Sequence, residues 1–152
     1  MNAERDTALL ALRPSTAAIE NAVQSLIAAN TIEGSTNTPS TTLEYFLHSS
    51  LRAILKLQHG TLLRLVALHI APHRGAFLQL SQHEQCDFLT NALKKDVSLR
   101  MLVIGTVVGH FTEAELERYA ANNADKAEIH KRIIELATRR ACDARTEIGE
   151  IL

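Results

Sequence analysis

A chain of 152 residues with 46% apolar and 22% charged side chains has the make-up of one globular domain, which excludes a disordered or fibrous protein. A formal charge of −1 is far from a strongly basic nucleic-acid binder, and two cysteines are too few for a secreted scaffold stapled by disulfides. Aromatic residues are only 4%, with no Trp, so the core must be built from aliphatic side chains, which suits packed helices better than strands.

The amino terminus has Glu4, Arg5 and Asp6 ahead of Leu9–Leu12, not the basic and then long apolar order of a secretory leader, so a cytoplasmic protein is expected. Residues 1–13 carry no defined element. The first helix is predicted from Pro14, whose fixed φ suits a first helical position, to about Asn30. Its apolar stripe is Ile19, Ala22, Val23, Leu26 and Ile27. Residues 31–40, rich in Ser and Thr with Gly34 and Pro39, read as a flexible connector within a single domain spanning 1–152.

Thr41 and Glu44 have capping-box spacing, and the long helix they start extends to Ala71, with Gly60 as the candidate kink. Beyond Gly60 the apolar surface of Leu62, Leu63, Leu65, Val66, Leu68 and Ile70 is wider than a surface helix needs. Pro72 ends this helix, because it lacks the N–H for the next bond, and 72–80 is expected to be a loop or single turn. Arg52, Lys56, His59 and Arg64 interrupt the most apolar stretch, so a membrane partner is excluded.

Ser81 and Glu84 repeat the capping box and start a helix to about Lys95, with Cys86, Leu89, Ala92 and Leu93 on its inner face. Asp96 caps the next helix, which carries Val97, Met101, Leu102, Ile104, Val107 and Val108. Thr112 and Glu115 form a further box, and Phe111 with Leu116 has the spacing of a hydrophobic staple. After a break at Asn122 and Asn123, the last helix uses Ile129, Ile133, Leu136, Ala137 and Ala141 as its seam, and residues 145–152 are expected to fray. The predicted fold is all-α: a single-domain bundle of about six helices around one long central helix.

Chemistry has few footholds in this pattern. His69, His73, His83, Cys86 and Asp87 are the best group of metal-ligand types, since His83 and Cys86 are three apart on one helix. No known ligand motif surrounds them, so no metal or other cofactor is expected, and Pro72 puts the shared face of His69 and His73 in doubt. His83 beside Cys86 is also the only candidate pairing for a thiolate nucleophile, against the plainer reading of Cys86 as a core residue. His48 and His59 make no site by themselves. Arg52, Lys56, Arg64 and Arg74 are the candidate basic residues of a mildly positive middle third, but a nucleic-acid binder concentrates far more charge on one face, and Arg139, Arg140 and Arg145 have no aromatic partners, so a nucleic-acid partner is not expected.

The segment from Leu102 to Tyr119, LVIGTVVGHFTEAELERY, and the later EIHKRIIELATRR resemble small all-helical bacterial proteins often labelled glyoxalase in genomes. The resemblance covers about the last third of the chain and carries over no catalytic residue. Established glyoxalases hold a metal with strand-rich modules, and this sequence offers no such strands.

These readings lead to a helical interaction or ligand-binding module that is a homo-oligomer, most simply a homodimer. Leu62, Leu65, Val66 and Ile70 supply its expected interface, with the small residues Gly105 and Gly109 allowing close helix approach. A small-molecule ligand is compatible with this class. The alternative is a metal- or thiol-dependent enzyme built on His69, His83 and Cys86.

Overall fold

The structure, a computed structural model, describes residues 16–33 and 43–152. The Pro14 start, the segment 1–13, most of the 31–40 connector and the Thr41 cap lie outside the described residues. Every regular element among the described residues is helical.

Helix α1 spans Thr16–Glu33, and its Val23 and Ile27 are buried as the stripe requires. The long predicted helix is present but divided. It comprises α2 (Leu43–Tyr45), a π-helical turn (Phe46–Ser50), α3 (Leu51–Leu57) and α4 (His59–Ile70). The π turn is wider than an α turn and rotates the chain's inner face, so that Phe46, Leu47, Ser49 and Ser50 are all buried. The break falls at Gln58, two residues before Gly60, where φ −97° and ψ 18° leave the helical region. Gly60 itself sits inside α4.

A 3-10 turn at Ala71–His73, with Pro72 in its first positions, follows α4 and leads into α5 (Arg74–Gln79). The expected loop is therefore a short helix. Its reason is Phe77, which is 0% exposed and packs its ring 5.6 Å from that of Phe88. Helix α6 (Gln82–Lys95) begins at the Ser81–Glu84 box, in which Ser81 N–H donates to the Glu84 carboxylate and Glu84 N–H to Ser81 Oγ. Hydrogen bonds from the Ser81 hydroxyl and then from its backbone N–H hold the Glu84 carboxyl below its usual pKa. Helix α7 (Val97–Val108) is capped by Asp96, whose Oδ1 accepts from Leu99 N–H at 2.9 Å.

Helix α8 (Glu113–Ala121) starts at the Thr112–Glu115 box. Phe111 turns inward onto Phe46 and Tyr119, with ring centroids at 5.1 and 5.8 Å, while Leu116 stays exposed. Helix α9 (Asn123–Asp143) is the hub: Ile129, Ile133, Ala137 and Ala141 are fully buried, and it packs against α3, α4, α6, α7 and α8. The tail expected to fray forms α10 (Arg145–Ile151), anchored by Ile148 at 0% exposure and packed on α4 and α6. One hydrophobic core runs through all of these helices.

Most of the broad face of α4 is covered within the chain, though Leu68 is 74% exposed. Leu62, Val66 and Ile70, expected to meet a second subunit, are buried here against α7, α9 and α10, and Leu65 is half-buried. Apolar surface is also left uncovered on α7, where Val97, Met101 and Leu102 are 72%, 51% and 57% exposed. Gly105, one turn further on, has nothing within 4 Å of where a Cβ would stand.

Candidate functional site

The end of α4, the 3-10 turn and the stretch of α6 from Phe88 to Lys95 line an open cleft of about 380 Å³, at the small end of ligand-site volumes. Ile70, Phe88 and Ala92 make an apolar floor and wall, and His69, His73, Asn91, Lys95 and Asp96 supply the polar rim. The 3-10 turn explains how His69 and His73 reach one cleft although Pro72 intervenes: three tight residues carry His73 round without sending the chain away. The His73 ring stands edge-on to Phe88, with centroids 6.3 Å apart. His69 Nε2 lies 3.3 Å from Asp96 Oδ2, so one carboxylate both caps α7 and orients an imidazole. Lys95 ends α6 beside them, favoured there by the negative end of the helix dipole.

The other expected ligands go elsewhere. His83 is exposed and pairs with Asp87 one turn along α6, with 3.4 Å between Nε2 and Oδ2. Cys86 is neither an isolated core thiol nor a ligand: it is disulfide-bonded to Cys142 across α6 and α9, with Cα atoms 4.9 Å apart. While it is closed, the bridge removes both the thiolate pairing with His83 and the metal set with His69, and it corrects the reading of Cys86 as a plain core residue. Among the described residues no three His, Cys, Asp or Glu side chains gather into a metal-binding group.

A second polar cluster joins α8 to α9. Tyr119 Oη is hydrogen-bonded to His130 Nε2, and Lys126 Nζ sits 5.3 Å from the Tyr119 ring centroid. Burial first, then the charges of Arg100 and Lys126, holds the His130 pKa below its ordinary value. Burial also raises that of the Tyr119 phenol. A neutral imidazole accepting from a protonated phenol is the consistent state. Neither Tyr119 nor His130 lines the His69–Lys95 cleft, and the pair ties α8 to α9.

Arg52, Lys56, Arg64 and Arg74 are all exposed, on α3, α4 and α5. No helix among the described residues is long and apolar enough to cross a membrane. Phe88, Asn91 and Ala92 were not legible as site residues, because they belong to an ordinary amphipathic helix and acquire their role only from the turn packed beside them. The i, i+4 spacing of His69 and His73 was the one signal available. Comparison with protein-family models, curated proteins and solved structures gives no match for this chain.

Proposed function

We propose that this protein is a helical binding module that takes a small amphipathic anion into the His69–Lys95 cleft. The observation that carries the reading is the arrangement of the lining: an apolar floor of Ile70, Phe88 and Ala92 beneath a rim where Lys95, His73 and Asn91 can all donate. The Asp96 carboxylate, engaged by Leu99 N–H and the His69 imidazole, is the opposing charge at this rim that Lys95 must offset. A flat hydrocarbon or aryl body would lie on Phe88, and a carboxylate would meet the Lys95 ammonium. For about ten heavy atoms in so open a site, affinities from roughly 10 µM to 1 mM are expected. Calorimetry with phenylacetate, its amide and phenethylamine tests this. Binding of the acid alone, weakened at least about fivefold by Lys95→Met, is the expected result; equal binding of acid and amine would remove the proposal.

A second reading, that the module self-associates, is favoured by the outer face of α7. Val97, Met101, Leu102 and Gly105 recur at helical spacing on a surface with no covering element among the described residues. A homodimer joined there would use Gly105, as anticipated, but not the α4 residues. The thiol or metal enzyme has weaker support, because Cys86 is bridged and His83 points away from His69.

A further inference from the structure

We propose that Cys86 and Cys142 form a reversible thiol–disulfide clamp that fixes the amino-terminal half of α6, and with it the Phe88 wall of the cleft. Three observations carry this. Both cysteines are half-buried, so a small thiol can reach the bridge. Acceptors lie beside a reduced Cys142 thiol: Cys142 Sγ is 3.5 Å from the Cys86 carbonyl oxygen, which already accepts from Thr90 Oγ1 at 2.8 Å, and 3.8 Å from Thr90 Oγ1, whose lone pairs can still accept. The packing of α6 on α9 does not depend on the bridge, because Leu89 and Leu93 are buried there with Ala137 and Ala141 in the continuous core.

What the bridge does hold is the first half of α6. Ahead of Leu89 that half has no fully buried side chain, and its other ties are the Ser81–Glu84 box, the 3.1 Å bond from Gln85 Nε2 to the Phe77 carbonyl and the packing of half-buried Phe88 on Phe77. Phe88 stands two residues after Cys86 and forms the cleft wall with His73 against it. Releasing Cys86 therefore loosens the wall and leaves the fold in place.

The chemistry needs a thiol of the glutathione class. Its thiolate attacks one sulfur of the bridge, the S–S bond breaks, and the other cysteine leaves as a thiolate that takes up a proton. A second thiolate attacks the mixed disulfide and leaves as oxidised glutathione, so two electrons and two protons have passed to Cys86 and Cys142. Oxidised glutathione drives the reverse.

The coupling to a ligand rests on the cleft reading above; the clamp itself does not. Protein equilibrated with millimolar reduced or oxidised glutathione would be sorted by alkylation and mass, then compared by circular dichroism and amide hydrogen exchange. The expected result is interconversion in both directions, an unchanged helical signal, and exchange at least about tenfold faster over residues 82–90 in the reduced form. Cys142→Ser, whose hydroxyl can still donate to the Cys86 carbonyl, should reproduce the reduced pattern. A bridge that reduced glutathione does not open, collapse of the helical signal on reduction, or equal exchange over 82–90 in both forms would each overturn the clamp. Phenylacetate should bind at least about threefold more weakly to reduced protein. Equal binding to both forms overturns the coupling, whereas no binding to either counts against the cleft reading and leaves the exchange data to judge the clamp.

Discussion

Gln58 Nε2 lies 2.7 Å from His110 Nε2, tying the break in the long helix to the end of α7. The other ring nitrogen of His110, Nδ1, lies 2.7 Å from the Thr106 carbonyl oxygen, which can only accept. Nδ1 therefore carries the proton, and Nε2 accepts from the Gln58 amide. The same residue that ends α3 is thus held by a ring whose tautomer its own helix fixes.

Replacing His110 by Ala removes both bonds at once. A loss of about 1–3 kcal/mol is expected, with the Gln58 amide left to water. Urea unfolding monitored by circular dichroism measures it, and a loss below about 0.5 kcal/mol would mean that the tie does not hold the break.

Acid should destabilise the protein through His130. Its folded-state pKa is depressed, so between that value and the ordinary one near 6.5 the unfolded chain binds more protons. Stability then rises with pH through this window, and the His130 contribution is flat above it. His130→Gln keeps an acceptor for Tyr119 without a titrating ring. Its unfolding midpoint is expected to vary less between about pH 5 and pH 7 than that of the parent; an identical slope would assign the acid sensitivity elsewhere.

Phe77→Ala should cost about 3–5 kcal/mol, the loss typical of a fully buried aromatic ring. Leu78, its 45% exposed neighbour on the same short helix, should lose no more than about 1.5 kcal/mol as Ala. Comparable losses at the two positions would contradict the packing of α5.

On α7, Leu102→Glu and Met101→Lys should change monomer stability by no more than about 0.5 kcal/mol, since both side chains face solvent. Analytical ultracentrifugation of parent and variants then isolates association. A dimer in the parent that is lost in both variants fits the α7 face. A dimer that survives both substitutions places its contact elsewhere.

Asp96 separates capping from pairing. Asp96→Asn retains an oxygen for Leu99 N–H but withdraws the anion from His69, whereas Asp96→Ala loses the cap as well and should cost about 1 kcal/mol more in thermal or urea unfolding. Near-equal stability of the two variants would show the cap to be dispensable.

Much of the architecture could be read from local signals, because those signals are themselves local. The Ser81, Asp96 and Thr112 caps each satisfy a backbone N–H three residues away, and all three appear where their spacing puts them. The stripe of α9 likewise needed only helical periodicity. What escaped was set by distant partners. Phe77 reads as an isolated aromatic in a loop until Phe88 lies against it, and Ile148 reads as tail until α4 and α6 close over it. The bridge escaped for the same reason, as a separation of 56 residues says nothing about which helices lie side by side. Leu62, Val66 and Ile70 of the wide α4 face are covered by α7, α9 and α10 of the same chain, partners that periodicity does not name. Of the cleft, the His69–His73 spacing was visible; its wall and floor were not.

The Cys86–Cys142 bond makes a covalent ring of everything from α6 to the end of α9. A protease that nicks the backbone once at the exposed Asn122–Asn123 junction therefore yields two pieces that still migrate as one. Only a reducing gel would reveal the cut.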